Sequence, residues 1–215
     1  MLSNNIPTIE KALKRNRARR VFSRHWSKRS AVVALLDAEH ISEASLLLIQ
    51  RAKREGDPWS GHMAFPGGRY ERGDRTGWGT AKREMAEEVG FDADAPEHQL
   101  LNAKLAGRLS DYNTTKRVLP TKMVISAYVM TVDEQPRLRP NYEVADTIWL
   151  PMSYFSDFTN RDMMDFKFRG KDERLPCYRV SDEKVIWGIT LTLIDELLIA
   201  HGVEIPHEKR NPRPD

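Results

Sequence analysis

The chain has 215 residues, 40% of them hydrophobic and 30% charged, which is enough apolar material for one ordinary domain with extensions and a charged exterior. No run approaches the roughly 18–20 apolar residues that cross a bilayer, and the single cysteine, Cys177, excludes an internal disulfide and points to a reducing compartment. The formal charge of +3 is uneven: residues 1–29 carry nine Lys or Arg against Glu10 alone, leaving 25 basic and 30 acidic residues, a net of −5, in the rest.

Ile6, Ile9 and Leu13 recur at helical spacing, so a short amphipathic helix is expected over residues 7–19. The surrounding arm, residues 1–29, has three readings: a solvated basic helix, an Arg-rich organelle leader, or a contact for an anionic partner or membrane surface. The arm has no apolar signal-peptide core. The cytoplasm is therefore the expected compartment, with organelle targeting left open. Residues 30–204 form the expected domain and 205–215 a polar tail.

Apolar, β-branched runs over 30–37 and 45–51 predict strands joined as a hairpin through the polar stretch 37–44. A polar loop, 52–61, leads to a short extended piece at 62–68 that ends in Pro66-Gly67-Gly68. Residues 69–79 read as loop and 80–89 as helix, with Gly90 placed for a left-handed C-terminal cap. Strands are expected over 100–109 and 123–132, separated by a loop containing Asp111, Asn113, Lys116 and Arg117. Residues 133–142 hold Pro136 and Pro140 and connect to a short strand, 147–150, after which Pro151 starts a helical turn. The charged stretch 156–174 has no readable pattern, and 185–200 predicts a helix closed by Gly202. Mixed strands with two main helices make an α+β protein, an α/β/α sandwich with a mixed sheet between helices.

The chemistry concentrates in the predicted helix over 80–89. Glu84, Glu87 and Glu88 stand at i, i+3 and i+4, which places three carboxylates on one helical face. Like charges there repel, and acids near a helix C-terminus also oppose its dipole. A solvated acidic face is one reading. A hard divalent cation such as Mg²⁺ or Mn²⁺ is the other, since it takes oxygen ligands. Gly67-Gly68 supplies a turn where a carbonyl can approach an ion with no Cβ in the way. Asp74, nine residues before Arg83, can pair with it and orient it beside the carboxylates.

The string Gly68, five residues, Asp74, eight residues, then Arg83-Glu84-Met85-Ala86-Glu87-Glu88-Val89-Gly90-Phe91 resembles the Nudix box. Asp74 stands where that box has Glu, and the spacer before Arg83 is one residue longer. The resemblance implies a Nudix fold and a hydrolase that cleaves a diphosphate linked to another moiety. It implies Glu84 and Glu88 as principal metal ligands, Glu87 as a further one and the Gly68 carbonyl completing the set. Arg83 positions the carboxylates, while Met85 and Val89 pack the opposite face. The lead-in His62-Met63-Ala64-Phe65-Pro66-Gly67-Gly68, together with Glu143-Val144, Trp149-Leu150-Pro151 and Trp187-Gly188-Ile189-Thr190, resembles the coenzyme A diphosphatase branch. One signature of that branch departs here, reading Leu47-Leu48-Ile49-Gln50-Arg51-Ala52.

Outside the box, Glu143 is a candidate distal base or additional ligand, or an ordinary strand-end carboxylate, and Glu87 is an alternative base. Arg51, Arg69 and Arg108 flank the expected cleft and suit phosphate oxygens. Lys53 and Arg54 suit the same role and could reach a 3′-phosphate. Trp59 stacks on an adenine or anchors its loop, His62 reads as a loop histidine, and Trp187 as a core anchor. The partner implied is a small nucleotide-type molecule: coenzyme A or its thioesters first, then a nucleoside diphosphate sugar, ADP-ribose, a dinucleoside polyphosphate or a dNTP. A silent binding module of the same fold is the reading from another class, and a homodimer is left open. The arm interleaves only Phe22 and Trp26 among its basic residues, so nucleic acid is not an expected partner.

Overall fold

The computed structural model describes residues 7–57, 59–114, 123–168 and 171–209, so Lys116, Arg117 and the end of the polar tail lie outside the described residues. Helix α1 (Ile9–Asn16) is capped by Thr8 and buries Ile9, Ala12 and Leu13. Ile9 and Leu13 join the main core, so the arm's helix packs onto the domain.

The centre of the molecule is a mixed sheet. Strand β1 (Lys28–Leu36) runs parallel to β7 (Met123–Thr131), with Lys28 opposite Met123 and Leu36 opposite Thr131. β7 continues to β5 (Lys104–Arg108) and β6 (Tyr112–Thr114). β2 (Ser45–Arg51) meets β1 at Leu36 and Leu46, then pairs along its length with β8 (Val144–Pro151). The expected 30–51 hairpin thus closes at its turn and splays beyond it. The space beside β1 goes to β4 (Gly67–Arg69), which pairs Gly67 with Val32 and Gly68 with Ala31. β3 (Met63–Ala64) lies against β2.

Both faces of the sheet are buried, which is why β1 and β2 read as continuous apolar runs and not as alternating ones. Ala34, Leu36, Leu46 and Leu48 face a layer formed by α1 and α4 (Gly188–Ala200). Ala31, Val33, Leu35, Leu47 and Ile49 face α2 (Gly77–Val89), which contributes Ala81, Met85 and Val89. The α/β/α sandwich expected from the sequence is therefore the observed architecture. No helix among the described residues is long and apolar enough to cross a membrane.

Several boundaries differ from expectation for local reasons. α2 begins at Gly77, because the Thr76 hydroxyl accepts the Gly79 N–H at 3.0 Å and caps a first turn rich in glycine. The strand expected over 100–109 starts only at Lys104; Pro96–Leu101 is a 3-10 turn closed by Asn102 at φ 47°. The segment expected as helix from 185 begins as β11 (Val185–Trp187), and Gly188 at φ 61° makes the change to α4. The stretch 156–174 contains β9 (Arg161–Phe168), which pairs with β10 (Lys171–Arg179). A short helix, α3 (Met152–Ser156), follows Pro151 as expected.

Candidate active site

Helix α2 packs Met85 and Val89 into the core, which turns Glu84, Glu87 and Glu88 toward the β4 turn and solvent. Glu88 is 3% exposed, and one carboxylate oxygen accepts the Gly67 N–H at 2.8 Å. Burial pushes its carboxyl up to about 7, aided by the negative charge of Glu84 and Glu143; the Gly67 N–H and Arg51 pull the other way. Burial likewise raises Glu84, against the pull of Arg83.

The two glycines of the turn do different work. Gly67 has φ 150°, and a Cβ there would lie 2.3 Å from the Ala31 carbonyl oxygen and 2.5 Å from Val32 Cα. At Gly68 a Cβ would instead meet the Glu84 carboxylate at 2.4 Å. The turn is therefore glycine-only at the first position because of backbone, and at the second because of the site. Gly67→Ala is expected to cost at least about 2–3 kcal/mol of stability, read as a lower thermal midpoint. Gly68→Ala, which can push aside a flexible side chain, should keep the midpoint and lose about 100-fold in metal-dependent turnover. Equal loss of fold in both variants contradicts this division.

Arg83 organises the acids. Its Nε and Nη2 donate to Asp74 at 3.1 Å each, Nη2 also reaches Glu84 at 3.0 Å and the Arg69 carbonyl at 3.0 Å, and Nη1 reaches Glu87 at 3.0 Å. The ion pair expected between Asp74 and Arg83 is present as a two-pronged contact. Asp74 also accepts the Glu71 N–H at 2.9 Å, which ties down the loop before the helix. The Arg83 guanidinium holds the Asp74 carboxyl down at about 2, below its ordinary 3.8. A depressed folded value gives stability that is fully present above pH ~4 and lost as pH falls toward 2. Asp74→Asn should remove about 1–2 kcal/mol of that acid-dependent stability. An acid-unfolding curve identical to the parent's between pH 5 and 2 would sink this assignment.

Other residues gather on the far side of the acids. Glu143 precedes β8, and its carbonyl accepts the Ala52 N–H at 2.7 Å. Its carboxylate pairs with Arg54 at 3.1 Å, and the Arg54 guanidinium lies 5.0 Å from the Tyr142 ring. Arg51 binds Asp57 through Nη2 at 2.8 Å, while its Nε is buried with no hydrogen-bond partner. Lys53 and Arg69 are exposed. Arg108 is not drawn into this group: it pairs with Asp111 and stands 5.7 Å from the Tyr128 ring. Ser30, Glu71 and Asp57 were not singled out from the sequence. Ser30 donates to the Gly68 carbonyl at 2.5 Å, Glu71 adds negative charge beside Glu84, and Asp57 anchors Arg51. Only Asp57, six residues from Arg51 in a polar loop, left a trace that spacing could have found.

His62 sits between Trp59 and Trp187, with ring centroids 5.8 and 5.0 Å away, and burial lowers its pKa. Phe166 extends the row, 4.8 Å from Trp187. Trp187 pairs with Cys177 of β10 and packs on Phe166 of β9, while Trp59 contacts the His62 ring.

The donors suit a hard cation. The half-buried Glu84 and the buried Glu88 carry like charges that oppose each other, and Glu88 has no ion pair among the described residues. Among those residues no three acidic, His or Cys side chains converge as a finished ligand set. Arg83 holds both Glu84 and Glu87.

A family description named the NUDIX domain matches residues 26–168. An uncharacterized protein of Schizosaccharomyces pombe is 38% identical over 109 residues, which are 50% of this chain and 32% of that protein. The chain therefore spans about a third of that relative's length. A Photorhabdus laumondii protein named as an uncharacterized Nudix hydrolase, NudL, is 28% identical over 152 residues, 70% of this chain and 74% of the relative. Among solved structures, a UDP-X diphosphatase aligns with TM-score 0.48 and 16% identity over 82% of this chain and 63% of its own. The NUDIX domain of Shewanella oneidensis NrtR, complexed with ADP ribose, aligns with TM-score 0.45 and 18% identity over 60% and 75%.

Proposed function

The chain belongs to the Nudix hydrolase family, and from that premise we propose that it is a Mg²⁺- or Mn²⁺-dependent diphosphatase acting on a nucleoside diphosphate derivative, coenzyme A or an acyl-coenzyme A foremost. The observation that carries the reading is the buried Glu88, hydrogen-bonded to the Gly67 N–H, beside Glu84 lying against Gly68, with burial raising both carboxyls. A divalent cation bound there supplies the positive charge these acids lack, and supplies with it polarisation of the diphosphate and activation of water.

In this reading Glu84 and Glu88 are the principal ligands, with Glu87 and the Gly68 carbonyl completing the protein's share. Arg83 is a positioning residue: its grip on Asp74 fixes the loop, and its contacts to Glu84 and Glu87 set where those carboxylates stand. Glu143 lies close enough to raise the Glu88 carboxyl, and its charge suits it to accept a proton from the attacking water. Arg51 offers a buried Nε with no other partner to a phosphate oxygen. Arg54 and Lys53 add positive charge suited to a 3′-phosphate, and Arg69 is suited to a phosphate oxygen of the diphosphate. Arg108 stays with Asp111 as part of the fold. Hydrolysis of coenzyme A then yields 3′,5′-ADP and 4′-phosphopantetheine, and an acyl-coenzyme A yields the acylated pantetheine product.

The preference for coenzyme A rests on the sequence around the box, chiefly the His62–Gly68 lead-in and Trp187-Gly188-Ile189-Thr190. A panel of coenzyme A, ADP-ribose, NADH, dinucleoside polyphosphates and dNTPs, with Mg²⁺ or Mn²⁺, tests it. The highest kcat/KM is expected for coenzyme A. Preference for another member replaces the substrate and keeps the chemistry. No turnover of any member by folded protein removes the enzymatic reading in favour of a silent binding module.

A further inference from the structure

Among the described residues, a basic and aromatic surface lies outside the carboxylate site. From residue 11 to residue 36 the chain has nine Lys or Arg and no acid. In the middle of that stretch a 3-10 turn, Phe22–His25, brings two aromatic rings to the outside. Phe22 is 76% exposed and Trp26 75% exposed. Their rings pack edge to face, with centroids 5.1 Å apart and planes at 70°. Arg15, Arg17, Arg19, Arg20 and Lys28, which flank them in the chain, are all exposed.

The backbone holds this surface in place. The Arg19 N–H donates to Ser110 Oγ at 3.0 Å, its carbonyl accepts the Asp111 N–H at 2.8 Å, and the Val21 N–H donates to Asp111 Oδ2 at 3.0 Å. The apolar face of α1 is used inside the core, through Ile9, Ala12 and Leu13. The exposed apolar element is therefore the aromatic pair itself.

We propose that this segment, the exposed Phe22–Trp26 pair with the exposed basic residues that flank it in the chain, docks on a membrane surface bearing anionic lipid headgroups. Two features of the surface fit that occupant and act together. Lys and Arg side chains gain attraction from an anionic leaflet, while Trp and Phe enter the boundary between headgroups and acyl chains. The rest of the chain, residues 30–215, is net −5, so the positive charge of the molecule is concentrated in this segment and favours its approach to an anionic leaflet. Single-stranded nucleic acid also takes basic and aromatic groups, but it stacks bases on open ring faces. A T-shaped pair at 70° does not offer two successive platforms, whereas a lipid boundary accepts rings in any orientation. The inference does not depend on the proposed diphosphatase activity.

Co-sedimentation of the full chain with phosphatidylcholine vesicles, with and without about one third phosphatidylserine, tests this at low and at physiological salt. Binding is expected to the anionic vesicles alone, weakening as salt rises. The double variant Phe22→Ser/Trp26→Ser should bind at least about tenfold more weakly, and so should Arg15→Glu/Arg17→Glu/Arg20→Glu. Thermal midpoints are read alongside. If the aromatic variant lowers its midpoint, the charge variant, whose replaced side chains stand in solvent, decides alone. Absence of binding to anionic vesicles at low salt overturns the proposal, as does binding that survives these substitutions. A single-stranded oligonucleotide that displaces the vesicles, with the same dependence on Phe22 and Trp26, also overturns it and assigns the face to nucleic acid.

Discussion

Glu88→Gln is expected to reduce diphosphate hydrolysis by at least about a thousandfold while leaving the thermal midpoint unchanged or raised. The two halves of this result come from the same fact. Glu88 is 3% exposed and its carboxyl is pushed up to about 7, so its charged form is held where water does not solvate it. Glutamine fills the same volume, and its carbonyl oxygen can accept the Gly67 N–H that Glu88 accepts now at 2.8 Å. The substitution thus removes a costly buried charge and retains the hydrogen bond. What it cannot retain is an anionic oxygen ligand for a hard cation. A variant that keeps its rate removes α2 from the mechanism. A variant that unfolds shows instead that Glu88 is structural.

A second large effect is expected far from the acids. Arg161, at the start of β9, has a fully buried side chain and binds Asp195 of α4 through two hydrogen bonds of 2.6 and 2.8 Å. This pair fastens the β9–β10 hairpin to the helix that closes one face of the central sheet. Asp195→Ala leaves a guanidinium in the interior without its counter-charge, which costs about 3–5 kcal/mol. Denaturant unfolding should show that loss. Replacing both residues, Arg161→Met/Asp195→Leu, should recover most of it, because the penalty comes from the unpaired charge more than from the lost attraction. A single variant within about 0.5 kcal/mol of the parent would mean that water reaches the pair freely.

The readable parts of the fold were those with one dominant local signal. α2 and its Gly90 cap followed from helix formers ending at a glycine, and the cap is left-handed at φ 71°. β1 and β2 followed from apolar runs, but their splaying did not. It depends on β4 entering beside β1, an approach that the missing Cβ of Gly67 permits. The β9–β10 hairpin is not readable from the sequence because its strands are mostly charged, so alternation carries little hydrophobic contrast. β11 was absorbed into the helix that follows it, since Val185 and Ile186 extend the apolar run with no visible break before Gly188.

The site was legible in the same uneven way. Glu84, Glu87, Glu88 and Arg83 share one helix, so their spacing fixes their relations. Asp74 could be paired with Arg83 because a short loop leaves few other partners. The grouping of Glu143 with Arg54, and of Arg51 with Asp57, depends on how the 52–61 loop lies against β8. Residue types alone do not encode that. Arg108 had the right charge, but Asp111, three residues on, already engages it.

The central claim is that the α2 carboxylates hold a divalent cation, and the most direct measurement is Mn²⁺ binding, followed by the paramagnetic resonance of the free ion, in the parent and in Glu88→Gln. The parent is expected to take up Mn²⁺ saturably and to release it to Mg²⁺ or a chelator. The variant should bind at least about tenfold more weakly at an unchanged thermal midpoint. Equal uptake by both proteins, or none by the folded parent, would contradict the claim.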